Sequence, residues 1–168
     1  MAEIGLEPAE LQLIVCSIGP GSFTGIRIGL ATAKGMAMGI SCPLVGVSSL
    51  DAYALPFAAC GMDVYPLIDA RKGRIYTALY RGGAREGDYL DCAPEELRQR
   101  LAASERVLLA GPDARELAAR FGLAGSPAPY TDPLALLEAG EALLPTAPSG
   151  DPVPLYLRKS EAEIGAGL

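Results

Sequence analysis

The chain contains no histidine and no tryptophan. Without histidine there is no imidazole base, no Ser–His or Cys–His nucleophile pair, and no histidine ligand for a metal. The four cysteines, Cys16, Cys42, Cys60 and Cys92, lie far apart and form no CxxC pair. That pattern indicates neither a zinc site nor a thioredoxin-like motif; each reads as a small buried thiol in a reducing compartment. Basic residues are also few, with 14 Lys and Arg against 20 Asp and Glu, for a formal net charge of −6. A large nucleic-acid footprint is thereby demoted, although a local basic patch stays open. No long apolar run occurs either. The richest stretch, from Ile26 to Ile40, is interrupted by Arg27 and Lys34, and no basic-then-apolar leader opens the chain, so no membrane span is expected. A soluble cytoplasmic protein is the expectation.

What is present is a chain of 168 residues, half of them hydrophobic, enough for one ordinary domain or two small ones with a packed core. Its most informative segment is Gly19-Pro-Gly-Ser-Phe-Thr-Gly25, which runs into Ile26-Arg-Ile-Gly-Leu-Ala-Thr-Ala-Lys-Gly35. A strand-like run, Leu11 to Ile18, precedes it and a helix-like one, about Thr24 to Gly39, follows, with Thr24 or Ser22 as cap. A donor-rich loop at a helix N-terminus can attract an anion, through Gly19, Gly21, Ser22 and Thr24. The spacing nevertheless matches neither phosphate fingerprint. The third glycine of a GxGxxG arrives one residue late, and Gly25 is followed by Ile26 where a Walker loop needs lysine. Gly25, Gly29 and Ala33 recur every fourth residue, a face on which another backbone can approach closely, while Arg27 and Lys34 mark a wetter side.

Farther along, Pro43 to Val47 reads as a strand and Ser48 or Ser49 as the cap of a helix reaching Leu55. Val64 to Ala70 and Arg74 to Tyr80 read as strands joined by a hairpin at Arg71-Lys-Gly73, with a third strand at Tyr89 to Cys92. Glu95 to Ala103 is helical, Arg106 to Ala110 a strand, and Asp113 to Phe121 a helix closed by Gly122. Gly125 to Pro133 is a loop, Leu134 to Leu144 a last helix, and the remainder an extended strap carrying Tyr156 and a charge cluster, Arg158-Lys-Ser-Glu161. The order implies a mixed α/β layer in which an antiparallel meander feeds parallel strands. Before residue 63 there are only two strands and two helices, so the first half looks incomplete. Asp69, at the first hairpin, is the sole candidate for a phosphate- or metal-positioning carboxylate; turn chemistry with Gly73 accounts for it more simply.

The glycine segment, then Pro43-Leu-Val-Gly-Val-Ser-Ser-Leu-Asp51, Asp69-Ala-Arg-Lys-Gly-Arg-Ile-Tyr76 and Pro154-Leu-Tyr-Leu-Arg158, are four collinear blocks that closely resemble the TsaB (YeaZ) family. The resemblance implies an α/β, actin-like ATPase (ASKHA) fold of two ribonuclease-H-like halves, residues 1–60 and 61–168, with the first half incomplete. It implies a role in making threonylcarbamoyladenosine at position 37 of tRNA, as a degenerate, non-catalytic paralogue that binds a TsaD-like catalytic subunit. A TsaE-like ATPase then joins, and tRNA is met only indirectly. The interface helix that carries over would present Gly25, Arg27, Ile28, Gly29, Thr32, Ala33 and Met36 to the partner. Unpaired, the same face would support a homodimer.

No cofactor or metal is implied for the chain itself, though ATP or ADP is admissible at the partner interface. The paired histidines by which the catalytic relative holds a metal have no counterpart here. Family members have also been called glycoprotease-like or peptidase-like. The alternatives are a weak nucleotide hydrolase using the glycine loop and Asp69, and a peptidase-like protein. The family usually begins with a strand bearing an Asp-Thr-Ser/Thr turn, a meander and a long helix. This sequence is expected to start near the end of that helix, around Glu3 to Pro8.

Overall fold

A computed structural model describes residue 5 and residues 7–128, 132–146 and 151–158. Residues 3, 4 and 6 of the expected helix tail, residues 129–131 of the expected loop, and the charge cluster beyond Arg158 lie outside the described residues. A 3-10 turn, Pro8–Glu10, leads into β1 (Ile14–Gly19), α1 (Phe23–Ile40), β2 (Leu44–Ser48) and α2 (Ser49–Ala54). Then follow β3 (Asp63–Pro66), β4 (Ile68–Asp69), β5 (Ile75–Arg81), β6 (Ala84–Cys92), α3 (Pro94–Leu101), β7 (Val107–Ala110), α4 (Ala114–Phe121), β8 (Ser126–Ala128) and α5 (Pro133–Leu143). No helix among the described residues is long and apolar enough to cross a membrane.

Of the two candidate caps for α1, Ser22 is the one used: its Oγ accepts from the Gly25 amide at 3.3 Å. The helix ends at Ser41 in the left-handed region. It connects β1 to β2, which pair in parallel with Ile14 opposite Leu44 and Ser17 opposite Val47. Side chains alternate across a strand. Val15, Val45 and Val47 therefore share one face, and there Leu136 and Ala139 of α5 pack against them. Gly140 lets α5 sit directly on β1, because a Cβ there would stand 2.6 Å from Val15 Cγ1. Cys16 points to the other face, beside Ile26 and Gly29 of α1. The two-stranded sheet is thus covered by a helix on each face.

The second sheet runs β4-β5-β3-β7-β8, with β6 on the other edge of β5. The expected single strand from Val64 to Ala70 is instead two. Pro66 has no N–H, and the Leu67 amide turns to Ala110 O at 2.9 Å, breaking the ladder to β5 between β3 and β4. The expected hairpin at Arg71–Gly73 is present, with Ile68 opposite Tyr76 and Asp69 opposite Ile75. The third strand begins at Ala84, five residues before Tyr89, because Gly82 and Gly83, both at positive φ (55° and 84°), make a two-residue turn.

The expected loop from Gly125 contains β8, which pairs in parallel with β7. Pro127 is tolerated there because an edge strand needs donors on one side only. Alternation along β5 sends Ile75 and Leu79 to a core shared with Leu97 of α3 and Leu117 of α4, and Ala78 and Tyr80 to a core shared with Ala54 of α2. Leu50 of α2 is fully buried, worth about 1.5–3 kcal/mol for a side chain of that size. Helix α2 lies against strands of both sheets and so joins them.

Candidate functional site

Helix α1 carries three differently used flanks. At 3.6 residues per turn, Ile26, Leu30, Ala33 and Ala37 form one stripe, and all four are buried against the first sheet. About a quarter turn to one side come Phe23, Arg27 and Lys34. The Arg27 guanidinium lies 3.8 Å from the Phe23 ring centroid, and its Nε donates to the Tyr156 hydroxyl at 2.9 Å. Tyr156 stacks on Phe23 at 4.9 Å, and Lys34 pairs with Asp151 at 3.4 Å. The C-terminal strap occupies this flank.

About a quarter turn the other way lie Gly25, Gly29, Thr32, Met36 and Gly39, all exposed. Ile28, still farther round, is 63% exposed, whereas Met38, 80% exposed, falls beside Lys34 on the other side of the helix. A Cβ added at Gly29, Gly35 or Gly39 would meet nothing within 4 Å. Mid-helix glycine costs about 0.5–1 kcal/mol relative to alanine, and internal packing gives no reason for these three. Of the expected interface set, Gly25, Ile28, Gly29, Thr32 and Met36 are on the open side. Arg27 is exposed but engaged by Tyr156. Ala33 is corrected: it is buried under the chain's own sheet, because it falls on the stripe of Ile26, Leu30 and Ala37.

The loop before α1 uses part of its own donor capacity. The Gly19 amide donates to Ser17 Oγ at 3.3 Å, and the Gly25 amide is taken by Ser22. Gly19 has φ +101°, and a Cβ there would stand 2.7 Å from Ile26 Cδ1 and 3.1 Å from Leu155 O, so the position admits only glycine. Gly21 and Ser22 face two adjoining cavities between the sheets, of about 420 and 570 Å³, whose walls also hold Asp69, Arg71, Asp113 and Glu116. Thr24 is exposed in the first turn of α1. A helix N-terminus attracts an anion by about 0.3–1 kcal/mol. Here Asp113 and Glu116 on the same walls oppose that attraction, while Asp69 is paired with Arg71 and Arg120.

Asp69 is bound into its turn. Its Oδ1 accepts from the Arg71 amide at 2.7 Å, and its Oδ2 lies 3.2 Å from Arg71 Nη1 and 3.8 Å from Arg120. The fold brings Asp113 beside it, with Asp113 Oδ2 accepting from the Asp69 amide at 3.0 Å. No sequence signal joins these residues, which are 44 positions apart and meet only because β4 and the N-terminus of α4 share an end of the sheet. Burial, and then the charge of Asp113, raise the Tyr53 hydroxyl above its ordinary range. Among the described residues no three His, Cys, Asp or Glu side chains converge as a metal site would require.

Residues 1–133 match the family model described as TsaD: tRNA N6-adenosine threonylcarbamoyltransferase. An uncharacterized protein of Mycobacterium leprae is 33% identical over 166 residues, covering 97% of this chain and 42% of that protein. The tRNA threonylcarbamoyladenosine biosynthesis protein TsaB of Bacillus subtilis is 41% identical over 76 residues, 45% of this chain and 33% of that protein. The chain thus spans less than half the length of either relative. YeaZ from Pseudomonas aeruginosa superimposes with a TM-score of 0.76 at 24% identity, over 93% of this chain and 78% of that one, a likeness of fold. The mixed α/β architecture is therefore the actin-like fold expected, and the chain belongs to the TsaB (YeaZ) family within the wider TsaD family.

Proposed function

We propose that this chain is a non-catalytic partner subunit in the synthesis of threonylcarbamoyladenosine in tRNA, acting by binding a TsaD-like catalytic subunit through the open flank of α1. One observation carries the reading: Gly29, Gly35 and Gly39 face open space beside exposed Ile28 and Met36. Small residues let a second helix come close, and the apolar neighbours supply the area to bury. The lack of histidine supports a supporting role over a catalytic one. On this reading residues 1–60 and 61–168 are the two halves of the subunit, a TsaE-like ATPase joins the pair, and tRNA is met through the partner.

The test is co-elution with a TsaD-like protein by size-exclusion chromatography, comparing the wild type with Gly29→Leu. The leucine meets no atom of its own chain near Cβ, so it should keep the fold and abolish the complex. Equal elution of both proteins with the partner would sink the interface assignment. Self-association of the wild type, lost in Gly29→Leu, would place a homodimer on the same flank.

A further inference from the structure

The strap at 151–158 touches β1, β2, α1 and the second sheet. Pro152 lies over β2 at Gly46, where a Cβ would come within 2.6 Å of its own. The Leu155 amide donates to Ile18 O of β1 at 2.8 Å. Tyr156 holds Phe23 and Arg27 in the first turns of α1. Arg158 then crosses to the second sheet: its Nε donates to Asp91 Oδ2 of β6 at 2.9 Å, and its Nη2 reaches Ala70 O at 3.4 Å. Asp91 is only 14% exposed and is shared with Arg74, whose Nε donates to Oδ1 at 2.6 Å. Phe23, Ala70 and Tyr76 line the larger inter-sheet cavity, so the strap passes along its mouth.

We propose that the 151–158 strap is a clasp across the inter-sheet cleft, latched by Arg158 on Asp91, that fixes the first turns of α1 against the second sheet. Charge-assisted bonds to a planar guanidinium are directional as well as strong, which suits a latch. The Lys34–Asp151 pair, with Asp151 71% exposed, adds little. Opening the latch frees Tyr156 from Arg27, and the loop and first turns of α1 lose their outer support while both cores stay intact. The clasp grips the flank of α1 opposite Gly25 and Gly29, so it leaves the open flank uncovered. It stands whether or not that flank binds a partner.

Hydrogen exchange read by mass spectrometry on the isolated chain tests this. In Arg158→Gln, the Leu155 amide and peptides covering 19–28 should exchange roughly tenfold faster, with 107–121 unchanged. Arg158→Lys, which keeps the charge but not the fork, should fall between. Should Arg158→Gln fail to fold, Tyr156→Phe keeps the stacking, removes the acceptor of Arg27, and should speed exchange in the same segment alone. Unchanged exchange at 19–28, or equal acceleration throughout the chain, overturns the proposal.

Discussion

The Tyr80 hydroxyl of β5 donates to Asp51 Oδ1 of α2 at 2.5 Å, and Tyr89 of β6 donates to the other oxygen at 2.8 Å. One carboxylate thus ties the helix between the two sheets to the central hairpin of the second. Burial, and then the Asp51 charge, push the Tyr80 hydroxyl above the ordinary tyrosine range. Asp51→Ala leaves two tyrosine hydroxyls without their acceptor, Tyr80 being 3% exposed. The expected loss is about 2–4 kcal/mol of unfolding free energy, measured by urea titration. A loss below about 0.5 kcal/mol, the range of ordinary surface substitutions, would show that water replaces the carboxylate.

A second prediction concerns acid. Hydrogen bonds from Arg81, and secondly from Ser104, hold the Asp63 carboxyl at about 2, below its ordinary 3.8, against an opposing contribution from burial. The unfolded chain therefore takes up this proton before the folded one does as pH falls. The stability contributed by Asp63 is present above pH 3.8 and lost as pH drops towards about 2. In Asp63→Asn the urea midpoint should be lower at pH 7 and should fall less steeply over that window than in the wild type. Parallel curves would contradict the assignment.

Two helical glycines should respond oppositely to alanine. Gly140→Ala drives a methyl into Val15 of β1, and overpacking of this kind costs about 1–3 kcal/mol. Gly29→Ala enters open space and should stabilise the isolated chain by about 0.5–1 kcal/mol through helix propensity. Chemical denaturation of both variants decides the matter. Destabilisation by Gly29→Ala would mean that this flank is already packed against something within the chain.

Thiol labelling supplies a fourth check. Cys92 is 1% exposed, and burial pushes its thiol up to about 11. In the native protein at pH 8 it should resist iodoacetamide and react at the rate of global opening. Labelling followed by peptide mapping would show it; rapid modification of Cys92 without denaturant would contradict its place in the core between β5 and α3.

Much of this architecture was legible because local rules and tertiary demands agree. The apolar spacing of Ile26, Leu30 and Ala37 reads as a helix, Ser22 can cap it, Gly122 ends α4, and Arg71-Lys-Gly73 forms the hairpin expected of it. The mistakes fall where neighbours overrule local preference. Pro127 and its surroundings read as loop until β7 offers a ladder needing no donor from proline. Gly82 and Gly83 do not read as a hairpin turn, because Arg85, Glu86, Gly87 and Asp88 lack the apolar alternation that marks a strand. A four-residue step groups Ala33 with Gly25 and Gly29. The real stripe drifts around the helix and carries Ala33 to the buried side.

By itself the sequence determined most of the order of elements, the absence of imidazole chemistry and the glycine-rich helix, since composition and spacing along the chain are enough for each, while the family rested on the resemblance of its four collinear blocks. Tertiary structure alone decided which flank of α1 stays open, that Asp113 stands beside Asp69, and that the strap ends on Asp91. Those relationships join residues 44, 67 or 129 positions apart. Their geometry is set by how two sheets pack around α2, which no local pattern encodes.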